Sequence, residues 1–133
     1  METPHDPGPA LEEAARDLYF PSESEAPIDL YRWPLEAEPT PEALLAHEGR
    51  PAETPIDTTT PESEIAPFTT APEGSDEIEV ALAKRWTTLL ETLHRELTDV
   101  RVYRVGKVDI DLFILGRAPS GGFLGYKTHV VET

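Results

Sequence analysis

The chain has 133 residues, with 26 Asp and Glu against 11 Lys and Arg, a formal charge of −15 and no cysteine. Such a charge repels phosphate backbones and anionic membranes, so direct nucleic-acid or lipid binding is not expected, and the partner it favours is basic. Without cysteine there are no disulfides, thiolate zinc sites or cysteine nucleophiles. No apolar run approaches the roughly 18 residues of a membrane span, and METPHDPGPA lacks a basic-then-apolar leader, so one cytoplasmic domain is expected, a monomer when free.

Residues 1–8 are expected to be flexible, and residues 9–133 to form the domain. Pro9 suits the first position of a helix, on which Leu11, Ala14, Ala15 and Leu18 share one face, with Pro21 as its stop. The β-branched and aromatic residues of IDLYRW (28–33) predict a strand. Between residues 34 and 75 recurring prolines exclude long regular elements. Two short helices still fit, one from Thr40-Pro41 through EALLAHE to Gly49 and one from Thr60-Pro61 to Ile65. Leu44, Leu45, Ile56, Ile65 and Phe68 are too apolar for a bare linker, so this stretch is read as an irregular layer packed on the fold.

The strongest helix is predicted from Asp76 to about Thr98, opened by Asp76 and Glu79 in a capping-box spacing. Ile78, Leu82, Trp86, Leu89, Leu90, Leu93 and Leu97 form a continuous stripe, of which Trp86 and the leucines are expected to be core. About 22 residues make a rod of roughly 33 Å. Gly106-Lys107 then reads as a two-residue hairpin turn. After it Val108, Ile110, Leu112 and Ile114 line an apolar face, while Asp109, Asp111, Phe113 and Leu115 line one that starts polar and ends buried. RAPSGG turns the chain into a last strand, FLGYKTHVVET. Three antiparallel strands in sequence, joined to the early strand and covered by helices, predict an α+β layered sandwich.

No catalytic motif emerges. His5, His47, His94 and His129 are scattered singly, outside any metal-ligand spacing. No nucleophile elbow, phosphate loop or dinucleotide fingerprint is present. Asp109 and Asp111 could bind a cation or do acid–base work as a hydrolase pair, but the solvated end of a strand has the same pattern. No catalytic residue and no resident cofactor is assigned.

LYFPSESEAPIDLYRW (18–33), the acid-capped helix, VYRVGKVDIDLFILG (102–116) and the terminal VVET, taken together and in this order, resemble the nuclease A inhibitor family. The resemblance spans nearly the whole chain and is weakest over residues 34–75. It implies a three-layer α/β/α sandwich of pathogenesis-related-1-like topology. It also implies a protein inhibitor, in a 1:1 complex, of a Mg²⁺-dependent, sugar-non-specific DNA/RNA endonuclease of the ββα-metal type. On this resemblance Glu23 pairs with an essential arginine of the nuclease, Glu25 adds charge at the rim, and Thr133 at the tip of the last strand, preceded by Glu132, gives an oxygen to the nuclease's Mg²⁺. A carboxylate accepts an arginine fork much as a phosphate does, and Mg²⁺ prefers oxygen ligands. In the family the acidic loop before the long helix carries an aromatic residue, and here TTAPEGSDE (69–77) has none. Glu73, Asp76 and Glu77 would still steer a basic partner. The competing expectation is an acidic protein-binding module of the same fold with a different basic partner.

Overall fold

The chain runs α1 (Gly8–Ala15), β1 (Tyr19–Phe20), β2 (Ala26–Pro27), β3 (Asp29–Trp33), α2 (Pro41–His47), β4 (Ile56–Thr59), α3 (Pro61–Ile65), α4 (Glu77–Glu96), β5 (Thr98–Val105), β6 (Asp109–Arg117) and β7 (Phe123–Val131). This order is taken from a computed structural model that describes residues 6–21, 25–35, 37–119 and 121–132. The fold is mixed α+β. The main sheet has the order β3-β7-β6-β5-β4, and every neighbouring pair in it is antiparallel.

The period-two pattern of the last three strands divides the interior in two. Val102, Ile110, Leu112, Ile114, Leu124, Tyr126 and Val130 face Leu11 of α1, Ile65 of α3 and Trp86, Leu89 and Leu93 of α4. Their odd-numbered neighbours Tyr103, Val105, Phe113, Leu115 and Phe123 gather with Trp33 around Leu44 and Leu45 of α2. The second face begins polar, as its sequence predicts. Asp111 meets Arg50 and His129 there, and Lys127 meets Glu48.

Buried tyrosines fasten the less regular segments to the sheet. Tyr126 donates to the Leu11 carbonyl of α1 at 2.6 Å, and Tyr103 donates to the Pro39 carbonyl ahead of α2 at 3.2 Å. The expected caps form: Thr40 accepts from the Ala43 amide, Thr60 from the Ser63 amide, and Asp76 from the Glu79 amide at 2.8 Å.

Five expectations change. Helix α1 opens one residue early, and Asp6, placed in the loose N-terminal stretch, accepts from the Gly8 amide and pairs with Arg32. It also stops at Ala15, well before Pro21, because Arg16 turns extended, Asp17 adopts φ +60°, and Arg85 of α4 bonds the Ala14 and Arg16 carbonyls. A tertiary contact thus ends the helix, and Leu18 is buried from the loop instead. The proline-rich middle contains a strand: β4 pairs with β5 along the sheet edge, Ile56 opposite Val105. The connection after β5 is longer than two residues, since Val105 pairs with Asp111, and Val108 lies exposed within it. Gly106 has φ +114° there, and its amide donates to Pro55 ahead of β4, so the turn also serves the edge strand. Finally, the apolar stripe of α4 is buried only from Ala83 onward, while Ile78 is 79% and Leu82 47% exposed.

Strand β7 lies between β3 and β6, with Gly125 opposite both Tyr31 and Leu115. A Cβ at Gly125 would run into the backbone carbonyl of Ile114. Gly125→Ala is therefore expected to cost about 3 kcal/mol, read as a lower denaturant midpoint; an unchanged midpoint would refute the close approach. At alkaline pH, burial first and then the charge and hydrogen bond of Glu48 push Tyr31 up to about 12, and burial pushes Tyr103 and Tyr126 up as well. A pKa raised in the folded state gives stability that is complete below the ordinary tyrosine value and lost as pH climbs through the folded one. Stability should therefore fall between pH 10 and about 12, and Tyr31→Phe should make that fall shallower in denaturant titrations run across the range.

Candidate functional site

The site that the sequence suggests draws on the β1–β2 connection, the loop before α4 and the residues after β7. Strands β1 and β2 form a two-stranded hairpin, Phe20 opposite Ala26, and its connection includes exposed Glu25 at φ +44°. Glu23 and Thr133 lie outside the described residues.

The hairpin is held from two sides. Thr128 of β7 donates its hydroxyl to the Pro27 carbonyl at 2.8 Å. Phe20 meets Phe68 edge-on at 5.4 Å and Trp86 of α4 at 5.9 Å, while Phe68 and Trp86 are 5.1 Å apart. This aromatic cluster gives the hairpin a base in the main core.

The end of β7 is held just as closely. Pairing with β6 continues through Val131 opposite Asp109, and the Glu132 amide donates to the Val108 carbonyl at 3.0 Å. The Glu132 carboxylate meets Arg104 of β5, whose other guanidinium nitrogen donates to Glu64 of α3 at 2.9 Å; Glu64 in turn accepts from Thr59. Arg104 and Glu64 have side chains only 17% and 12% exposed, whereas Glu132 is 54% exposed. Burial works against the Arg104 charge, but the hydrogen bonds and attraction of Glu132 and Glu64 outweigh it and hold its pKa above the ordinary value. One guanidinium thus ties α3, β5 and the residues following β7.

These pieces meet at one end of the molecule. Phe20 and Pro21 of the hairpin share a groove of about 580 Å³ with Phe68, Arg104, Val131 and Glu132. Pro21 and Phe68 also border a second groove that continues along Ala71 and Pro72 to Leu82 and Trp86. The loop before α4 is shaped by its own bonds, Ser75 donating its hydroxyl to the Pro72 carbonyl, with Gly74 at φ +88°. Glu73 and Glu77 are exposed there, and Asp76 is engaged as the cap of α4.

The Asp109–Asp111 pair belongs to the other face of the sheet and has partners of its own. His129 faces Asp111 at 3.2 Å and Asp109 at 3.5 Å, and Arg50 meets Asp111 at 3.0 Å. His94 pairs with Glu62, and His47 packs edge-on against Trp33. Among the described residues no cluster of three or more His, Asp or Glu side chains is arranged to hold a metal ion.

Arg104 was not among the residues singled out by sequence. The signal was present: in TDVRVYRV it shares the core-facing register of Val102, and a charge there requires a partner. Both partners are remote, Glu64 forty residues before and Glu132 twenty-eight after.

An acidic α+β domain whose acidic hairpin and last strand converge on one groove has the make-up of a protein-binding domain. Residues 9–133 match the model of the nuclease A inhibitor-like protein family, and the chain belongs to that family. Membership implies a nuclease-inhibitor role, with a nuclease as the partner in general terms. No curated protein matches the chain significantly.

Replacing Arg104 with Met should strand the Glu64 carboxylate in a largely buried place and cost roughly 3 kcal/mol, with Arg104→Lys recovering part of the loss. Glu132→Gln, at the exposed side of the same guanidinium, should cost less than about 1 kcal/mol. Urea midpoints for the three variants test this, and equal losses for Arg104→Met and Glu132→Gln would refute the asymmetry.

Proposed function

We propose that the chain is a stoichiometric inhibitor of a Mg²⁺-dependent, sugar-non-specific DNA/RNA endonuclease of the ββα-metal type, acting as a monomer in a 1:1 complex within the cytoplasm. The observation that carries this reading is the convergence of the hairpin bearing the SESE loop with the strand leading to Glu132-Thr133 on one groove. Glu23 offers its carboxylate to an arginine that otherwise grips the scissile phosphate. Thr133 offers an oxygen to the nuclease's own Mg²⁺, a hard cation that exchanges water for oxygen ligands. Glu25, Glu73 and Glu77 face the basic walls of a DNA-binding cleft and accelerate encounter. A formal charge of −15 supports a basic partner and disfavours direct contact with nucleic acid. The metal and the chemistry belong to the nuclease, so this chain has neither a catalytic residue nor a resident cofactor in this reading. A three-layer α/β/α sandwich of pathogenesis-related-1-like topology is proposed with it, supported by the two cores on opposite faces of the sheet.

The absence of an aromatic residue from residues 69–77 favours, as a second reading, an acidic module of the same fold for a different basic protein. Titration of the purified chain into such a nuclease degrading DNA in Mg²⁺ separates the two. Inhibition should end at one equivalent. Glu23→Gln should weaken it at least tenfold, since breaking a desolvated charge pair costs about 2 kcal/mol or more, and a Gly-Ser extension after Thr133 should remove the metal contact and abolish inhibition. Full cleavage at high excess of the chain would sink the inhibitor reading and leave the second.

A further inference from the structure

Glu77 through Leu82, the first six residues of α4, are all exposed, although Ile78 and Leu82 continue the same helical stripe that is buried from Ala83 onward. Among the described residues six large hydrophobic side chains are exposed, and two of them, Ile78 and Leu82, lie one turn apart on the same side of these two turns, with Val80 on the opposite side. Lone exposed hydrophobics are ordinary, but a cluster is not. Leu82 also borders the groove between Pro72 and Trp86, which shares Pro21 and Phe68 in its walls with the groove at Glu132.

We infer that the Ile78–Leu82 face of α4, with the groove beside it, is the apolar centre of the contact with the basic nuclease, which inserts an apolar side chain there flanked by Lys or Arg. The inference rests on the inhibitor reading above. Two features identify the occupant. Leu82 shares its groove with Pro21 of the hairpin connection that the inhibitor reading assigns to the nuclease, and Pro21 also borders the groove at Glu132, so a partner seated at the hairpin lies beside this face. Its neighbourhood is acidic: Glu77 and Glu79 flank Ile78 in the chain and Glu73 and Asp76 precede them, four carboxylates within seven positions that match a basic surface. Acidic side chains alone speed encounter without holding the complex, whereas a desolvated apolar centre slows its dissociation. In residues 69–82 that centre is supplied by aliphatic side chains on a rigid helix, in a chain whose loop 69–77 contains no aromatic.

The test is surface-plasmon binding of the full chain to a catalytically inactive ββα-metal nuclease in Mg²⁺, with Ile78→Ser, Leu82→Ser and the double variant compared against the parent. Both side chains are exposed, so the melting temperature should be unchanged, and Leu82→Ala provides a milder variant if it falls. The double variant is expected to dissociate at least thirtyfold faster, the equivalent of about 2 kcal/mol, with its association rate nearly unchanged. Glu77→Lys with Glu79→Lys should do the reverse, slowing association. Parent binding with an unaltered double variant overturns this surface alone. No binding by the parent overturns it together with the inhibitor reading. A free chain that sediments as a dimer and becomes monomeric in the double variant assigns the face to a second copy and also overturns the inference.

Discussion

The position of β7 governs the rest of the molecule. It is hydrogen-bonded on both sides, to β3 over its first half and to β6 along its whole length, and both registers pass through Gly125, where the sheet admits no side chain. That pairing fixes which residues face which core, since a slip of one residue would exchange the faces. It places Tyr126 beneath α1 and Thr128 beneath the small hairpin. It also carries order to Glu132, where hydrogen bonding to Val108 and the ion pair with Arg104 take over from the ladder. A residue held on such a support has little freedom left to lose on docking.

The acidic excess takes on a different meaning once the local pairings are considered. Arg104, Arg50, Lys127 and Arg32 each meet a carboxylate within the fold, so much of the small basic complement is spent internally. The carboxylates of Glu25, Glu73 and Glu77 are left on the surface, close in sequence to the hairpin and the start of α4. Net charge alone favours a basic partner; the internal pairing makes the remaining field more uniformly negative than the composition suggests.

Much of this could be read from the sequence because local rules and tertiary packing agreed. The alternation through Ile110, Leu112 and Ile114 against Phe113 and Leu115 gave both faces of the sheet, and Thr40-Pro41 and Thr60-Pro61 gave both short helices with their caps. Where the rules failed, a distant contact had decided the matter. Arg85 ends α1 from another helix, and Val102 to Val105 of β5 recruit Ile56–Thr59, a short Thr-rich run bracketed by prolines, as a strand. Helical periodicity found the stripe on α4 but not where its cover ends, because the period reports a face and says nothing of what lies against it. The Arg104 anchor was hidden for the same reason, its partners being remote in the chain. The convergence of hairpin, groove and last strand is a product of topology, and only the resemblance of LYFPSESEAPIDLYRW and VVET to a known family hinted at it.

The prolines of the irregular middle have a consequence of another kind. The two edge strands are the shortest in the main sheet, five and four residues against eight or nine for the inner three. Each edge is bounded by proline, β3 by Pro27 and Pro34, β4 by Pro55 and Pro61. Proline has no amide hydrogen to offer a neighbouring strand, and a short edge gives an intruding chain few groups to pair with. Blunted sheet edges on a highly charged surface let the chain reach high concentration without growing strand by strand into aggregates.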